Sequence, residues 1–319
     1  MNDKIPLLAV VGPTASGKTA LAVELAKLYN GEVVSADSMQ IYKGLGVVTA
    51  KPTPEEMLGI PHHLIDCIEP EQEFSVADYV REASNVILDI RKRGRLPVLC
   101  GGTGLYVSSL IDNVSFDSSV GSTELREELE RYASENGNHA LWERMKQIDP
   151  ETAKTVHENN LPRVIRAIEV YETTGKPLSW HKKQSRLIAS PYSAFIIGLD
   201  FADRSVLYDR INKRVDEMVK NGLVEEARAF YANYSPSTAY QAIGYKELIP
   251  YFEGRETLDE AVDHIKLETR HYAKRQLTWF RRREDINWII LDESYDMKKI
   301  LKKIQNMVAK TEIMCYNIE

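Results

Sequence analysis

Gly12-Pro13-Thr14-Ala15-Ser16-Gly17-Lys18-Thr19 spells G-x-x-x-x-G-K-[ST], the spacing of a loop that cradles phosphates. The residue types suit that chemistry. Gly12 and Gly17 let the backbone curl until its N–H groups converge on phosphate oxygens, and a helix N-terminus behind them adds positive potential. Lys18 offers a cation to the outer phosphates, and the Thr19 hydroxyl is a ligand for Mg²⁺. Leu7-Leu8-Ala9-Val10-Val11 reads as a buried parallel strand entering the loop. Thr19 to Leu28 reads as the helix leaving it, stopped by Asn30-Gly31. A di- or triphosphate ligand is expected; the loop alone does not say which, or what is done to it.

Two further residues fall where ligands gather in a parallel sheet, at carboxyl strand ends. Asp37 follows the strand Glu32-Val33-Val34-Ser35, and Thr103 follows Leu96-Pro97-Val98-Leu99 within Gly101-Gly102-Thr103-Gly104. One reading makes Asp37 a base or acceptor for a nucleophile and Thr103 a donor to a reacting oxygen. The other makes Asp37 a helix N-cap and Thr103 a turn residue. Spacing alone leaves both open. No long apolar strand ends in a metal-binding Asp, Leu64-Ile65-Asp66 being too short, and Asn212 to Asp216 misses a guanine-reading N-K-x-D by one residue. A transferase is therefore expected rather than a motor or switch protein.

The elements that must hold these residues alternate strand and helix over residues 1–111. Ser75 to Asp78 spells a capping box ahead of an amphipathic helix that Gly94 closes, and Leu105 to Ile111 is the next helix. From 112 to 190 strand-like runs vanish and polar, amphipathic helical segments take over, among them Thr123 to Tyr132 and Pro162 to Tyr171. A strand returns at Ala194 to Leu199. Helices follow at Arg204 to Val219, Leu223 to Tyr231 and Leu258 to about Arg283, then a last strand at Trp288 to Leu291 and a Lys-rich terminal helix. The expected fold is α/β: a phosphate-loop NTPase-like parallel sheet flanked by helices, residues 1–111 and 191–319, interrupted by an all-helical insertion at 112–190.

Composition bounds the class. The 319 residues are 43% apolar and 28% charged, an ordinary globular balance. No apolar run reaches membrane-spanning length, no signal peptide is expected, and Cys67, Cys100 and Cys315 lack metal or redox spacing. A cytoplasmic protein with free thiols and no membrane contact is expected. The net charge of -6 hides basic clusters: Arg163 with Arg166, one turn apart; His181-Lys182-Lys183 with Arg186; and Lys266, Arg270, Lys274 and Arg281 on one helical face, flanked by Arg275, Arg282 and Arg283. Each is either a phosphate-binding surface or a solvated face.

The phosphate loop, Asp37-Ser38-Met39-Gln40-Ile41-Tyr42, Thr49-Ala50-Lys51-Pro52, Pro61-His62-His63, Gly101-Gly102-Thr103-Gly104-Leu105-Tyr106, and Lys274-Arg275-Gln276 with Trp279 closely resemble the bacterial tRNA dimethylallyltransferase (tRNA isopentenyltransferase) family. The resemblance runs through most of the chain in the same order, with no departure at a motif position. The zinc finger of some eukaryotic relatives is absent. The resemblance implies transfer of a dimethylallyl group from dimethylallyl diphosphate to N6 of the adenosine immediately 3′ of the anticodon. It implies a leaving diphosphate held by Gly12, Pro13, Thr14, Ala15, Ser16, Gly17, Lys18, Thr19 and Arg214, with Mg²⁺ on Thr19. Asp37 would orient the amine and take its proton, and Thr103 would donate to the bridging oxygen of the breaking bond. It further implies contacts with the tRNA anticodon stem-loop from Leu161, Pro162, Arg163, Val164 and Ile165 and from Gln241, Ala242, Ile243, Gly244, Tyr245 and Lys246; the basic clusters add Arg166, Lys274 and Arg275 as expected contacts, and Ser38, Met39 and Gln40, following Asp37, are expected to line the channel for the target base. The target base must leave its stack to react. A monomer is expected.

Two other classes remain open at this point. A small-metabolite or nucleoside kinase would place ATP on the loop and use Asp37 on a substrate hydroxyl. A non-catalytic nucleic-acid binder would carry a vestigial loop. A kinase does not need arginines clustered in a helical insertion, and a vestigial loop need not keep Lys18, Thr19 and Asp37 together.

Overall fold

The structure, a computed structural model, describes residues 4–114, 123–185, 188–235 and 237–316. The chain divides into two compact units, Met1–Ile111 with Pro191–Glu319, and Asp112–Ser190.

The first unit is built on six strands: β1 (Ile5–Val11), β2 (Gly31–Ser35), β3 (His62–His63), β4 (Leu96–Gly101), β5 (Tyr192–Phe201) and β6 (Ile286–Leu291). Every pairing is parallel, in the order β3-β2-β4-β1-β5-β6. The central strands are apolar without alternation because helices cover both faces. Leu7, Ala9 and Val11 join one core, while Leu8 and Val10 join the other. The short strand β3 is absent from the sequence reading, since two residues carry no pattern.

Local signals explain the flanking helices. Ser75 accepts the N–H of Asp78, and the Asp78 carboxylate accepts the N–H of Ser75 at 3.0 Å, which starts the helix Val76–Lys92. That helix buries Tyr79, Ala83, Ile87 and Ile90. The helix Lys18–Leu28 ends before Asn30, whose φ of 48° turns the chain into β2.

The all-helical unit packs Leu129, Leu141, Met145, Val164, Ile165 and Ile168 into its own core. Glu169 is fully buried there and receives two Arg126 bonds at 3.0 and 3.1 Å, with Arg166 at 3.5 Å. Two expectations change as a result. Val164 and Ile165 are core side chains, so any contact they make with RNA is not through exposed side chains; their spacing from Leu161 and Ile168 is that of a buried helix face. Arg166 is partly engaged in neutralising a buried carboxylate. Arg163 and Pro162 are exposed. Arg186 lies outside the described residues.

At the amino end of the sheet Glu32 is 1% exposed and takes two Arg93 bonds, His63 at 2.7 Å and Arg95 at 3.3 Å. Burial opposes its charge, but Arg93 and His63 win and hold its pKa below the usual glutamate value. Glu32→Gln is expected to cost about 2 kcal/mol at neutral pH, less than a fully buried pair because the guanidiniums keep water. A group with a depressed folded pKa stabilises above its unfolded pKa. The wild-type advantage should therefore vanish as pH falls below about 4. Chemical denaturation of both proteins across that range checks it; a difference that persists in acid would contradict the assignment.

Candidate active site

Strands β1, β2 and β4 lie side by side, so their carboxyl ends bring the phosphate loop, Asp37 and the Gly-Gly-Thr turn together. The loop is curled as its glycines require: φ is 145° at Gly12 and 87° at Gly17, and Ala15 also adopts a positive φ of 61°. A Cβ at Gly12 would stand 2.6 Å from the Leu199 carbonyl of β5. Lys18 Nζ donates to Pro13 O at 2.6 Å, holding the ammonium over the loop.

The Gly-Gly-Thr turn is shaped by the helix Leu258–Phe280. Gln276 Nε2 donates to Gly102 O at 3.0 Å, and its Oε1 accepts the Thr14 N–H at 2.8 Å. One buried amide thus straps the phosphate loop to the end of β4. Trp279 fills the space where a Cβ on Gly104 would be, and donates to Ser108 at 3.1 Å. Glycine is required at both positions for this approach, which explains why the Gly-Gly-Thr-Gly and Lys-Arg-Gln…Trp blocks occur together.

Asp37 Oδ1 accepts the N–H groups of Met39 at 2.9 Å and Gln40 at 3.2 Å. It caps a turn rather than a helix, and does so with one oxygen while the side chain lines a cavity. Thr103 Oγ1 accepts the Ser38 N–H at 3.0 Å and stands 3.3 Å from Ser38 Oγ. Thr103 is half-buried, and the cavity is lined by the adjoining Gly101 and Gly102. Asp37 and Thr103 therefore each fix backbone at a strand end, as turn residues do.

The cavity measures about 290 Å³, and Thr14, Lys18, Thr19, Asp37 and Arg214 are among its lining. Val48, Val215, Met218 and Ala242 give it an apolar part, and Ser38, Met39, Gln40, Gln241, Ile243, Lys246 and Arg275 also line it. Pro13, Ala15, Ser16 and Gly17 do not line this cavity; Ala15 to Thr19 line a second, larger one of about 970 Å³, with Lys51, Arg210, Lys213 and Arg214, and the two share Lys18, Thr19 and Arg214. Burial, reinforced by Arg214, lowers the Lys18 pKa to about 8, against the opposing pull of Cys100 and Asp37. Burial also lowers Arg214, whose Nη2 donates to Thr49 O at 3.3 Å, and raises the Cys100 thiol to about 11. Arg214 is thus a cavity residue, not a solvated one.

A depressed lysine pKa gives anion binding a signed pH dependence. Lys18 is charged below about pH 8 in the free protein and neutral above it. Affinity for inorganic pyrophosphate should be level below that value and fall up to about tenfold per pH unit above it, until the bound-state pKa is reached. Titration calorimetry from about pH 7 to about pH 10 reads this directly; a level affinity across the range would show that Lys18 does not meet the anion.

Several contributors escaped the sequence reading. Tyr272 is the one aromatic residue among the described cavity-lining residues, and Arg275 sits 5.8 Å over its ring. Burial and then the Asp37 charge push its phenol well above the usual value, so it stays protonated. Glu226 accepts the N–H groups of Val47 at 2.8 Å and Val48 at 2.9 Å, and the Tyr245 hydroxyl at 3.0 Å, which fixes the loop carrying Val48 and Thr49. Tyr245 and Gly244 are consequently structural: Tyr245 is fully buried beside Phe230, and the expected RNA contact from residues 241–246 reduces to Gln241, Ile243 and Lys246 with the cavity face of Ala242. The basic face of the long helix is also smaller than expected. Lys266 pairs with Asp216 at 2.7 Å, Arg270 donates to Asn212 at 2.8 Å and Arg281 pairs with Asp200 at 2.6 Å, leaving Lys274, Arg275 and Arg282 exposed. His62 and His63 belong to β3, bonded to Ile60 and Glu32, away from the cavity. All three cysteines are free thiols. Among the described residues no helix is long and apolar enough to cross a membrane, and no three His, Cys, Asp or Glu side chains group as a metal site.

A parallel sheet with a phosphate loop, a carboxylate and a Gly-Gly-Thr turn at adjoining strand ends defines a phosphate-loop transferase. The family model for IPP transferases matches residues 40–283, more than half of the chain. A tRNA dimethylallyltransferase of Thermoanaerobacter sp. (strain X514) is 51% identical over 308 residues, 96% of this chain and 98% of that protein. The solved full-length tRNA isopentenylpyrophosphate transferase of Bacillus halodurans is 45% identical with a TM-score of 0.73, covering 98% of each chain. A eukaryotic dimethylallyltransferase captured acting on tRNA superposes with a TM-score of 0.81 at 27% identity, over 98% of this chain and 79% of that one. The chain belongs to the tRNA dimethylallyltransferase family.

Proposed function

We propose that this protein transfers the dimethylallyl group of dimethylallyl diphosphate to N6 of the adenosine immediately 3′ of the anticodon in tRNA, releasing diphosphate. The observation that carries the reading, beside family membership, is one cavity bordered by phosphate-binding cations, an apolar part and the Asp37 carboxylate. The diphosphate lies on the loop and near Arg214. The apolar part, with Val48, Val215 and Met218, takes the dimethylallyl group. Asp37 faces the incoming amine with the carboxylate oxygen that its turn does not use. As the C–O bond breaks, negative charge builds on the departing diphosphate, and Lys18, Arg214 and the loop N–H groups stabilise it. The N6 lone pair is delocalised into the ring, so Asp37 orients the amine and removes its proton as the C–N bond forms.

Thr19 fits a Mg²⁺ role. Its half-buried hydroxyl is a hard donor beside Lys18 and Asp37, and a Mg²⁺ shared with diphosphate oxygens and water needs no cluster of carboxylates. That ion, when bound, would neutralise diphosphate charge. Extrusion of the adenosine opens a path to Gln241, Ile243 and Lys246, with Lys274 and Arg275 available to RNA phosphates. The helical unit offers Pro162, Arg163 and Lys182 for the anticodon stem, while Lys183 pairs with Glu151 at 2.7 Å. The kinase reading finds no support in the family.

For Thr103 the proposed role is a hydrogen bond to the bridging oxygen, which requires its hydroxyl to turn from Ser38 Oγ toward the cavity beside Gly102 while its lone pair keeps the Ser38 N–H. Thr103→Val should therefore lower the single-turnover rate about 10²-fold and also cost about 1 kcal/mol, because Ser38 loses its acceptor. Thr103→Ser should restore both. A normal rate in Thr103→Val removes the hydroxyl from the chemistry. The function itself is tested by pyrophosphate release from dimethylallyl diphosphate, which should require tRNA; release without tRNA, or transfer of phosphate from ATP, would overturn it.

A further inference from the structure

We infer that Arg210 is a positioning residue that holds the phosphate loop in its anion-binding shape, and that Tyr295, from the segment after β6, holds Arg210 in turn. The inference rests on the diphosphate being the guest of this loop. Arg210 Nε donates to Ala15 O at 2.9 Å. Ala15 is the loop residue whose φ of 61° lies in the left-handed region, where a side chain is strained. For the following N–H groups to converge on an anion, this carbonyl must point outward, and a charged donor pins it there.

The guanidinium is itself fixed. Its carbon lies 5.6 Å from the Phe201 ring and 5.5 Å from the Tyr295 ring, and Nη2 stands 3.4 Å from Tyr295 Oη. Tyr295 Oη also touches the loop: it is 2.6 Å from where a Cβ on Gly17 would be. Arg210 therefore holds the loop at Ala15, while Gln276 holds it at Thr14. Ser16 Oγ, on the same loop, is buried without a hydrogen-bond partner, as a loop shaped for a guest permits. Arg214, one turn later on the same helix Arg204–Lys220, lines the reaction cavity as well as the second one, whereas Arg210 lines only the second. The two arginines divide the work: one shapes the cradle and one meets its contents.

The test is titration of the full-length protein with inorganic pyrophosphate and Mg²⁺, alongside anticodon stem-loop RNA binding as a fold check. Arg210→Gln should weaken pyrophosphate at least tenfold and leave RNA affinity within about twofold. Arg210→Lys should not rescue, because a point charge lacks the planar group that stacks on two rings while donating from Nε. Tyr295→Leu should weaken pyrophosphate in the same direction, and it keeps the test open if Arg210→Gln does not fold. In turnover, KM for dimethylallyl diphosphate should rise while KM for tRNA stays level; a merely structural residue would move both. Wild-type pyrophosphate affinity in a folded Arg210→Gln or Arg210→Lys overturns the inference alone. Failure of the wild-type protein to bind pyrophosphate overturns it together with the proposed function.

Discussion

Lys18→Ala should lower kcat by about 10³-fold or more and weaken pyrophosphate binding, while tRNA affinity stays near wild type. Lys18 is half-buried, bonded to Pro13 O at 2.6 Å, and lines both cavities that border the phosphate loop. Removing it takes away the cation nearest to the charge that develops on the leaving group. The alanine leaves the Pro13 carbonyl without its partner, but the loop retains its bonds from Gln276 and Arg210. The loop should therefore keep its shape, and the loss should appear in diphosphate affinity and chemistry rather than in stability. Separate titrations with pyrophosphate and with tRNA check this. A folded Lys18→Ala protein that loses tRNA binding would contradict the separation of phosphate and RNA sites.

Asp37→Asn should reduce the single-turnover rate by about 10²–10⁴-fold with small changes in affinity for either substrate. The geometry makes this a clean substitution. Oδ1 accepts two backbone N–H groups, and the asparagine carbonyl can go on accepting them, so the turn through Gln40 survives. What changes is the other position, where an amide replaces a carboxylate oxygen and cannot take a proton. Thermal stability close to wild type, with a rate close to wild type, would reduce Asp37 to a turn residue.

The phosphate loop, the central strands and the capping box at Ser75 were legible because each is a local pattern whose physics is complete within a few residues. The helical insertion was legible because hydrophobic period changes from strand-like to helix-like. What escaped depends on partners far apart in the chain. Gln276 reaches Thr14 and Gly102, Arg210 reaches Ala15, and Glu226 reaches Val47 and Val48. No local pattern predicts any of these. Long-range pairing also explains the overcount of basic surface. Lys266, Arg270 and Arg281 share a helical face, but Asp216, Asn212 and Asp200 meet them only once the sheet and its helices are assembled. Val164 and Ile165 are the opposite case. Their burial was readable from helical spacing, and the family resemblance drew them into the RNA contact.

The most direct measurement is mass spectrometry of an anticodon stem-loop RNA incubated with the full-length protein, Mg²⁺ and dimethylallyl diphosphate. The expected result is a mass gain of one dimethylallyl group, located at N6 of the adenosine 3′ of the anticodon, matched by release of pyrophosphate and absent over the same time with Asp37→Asn. An RNA of unchanged mass, from protein shown to bind both the RNA and pyrophosphate, would contradict the proposed reaction.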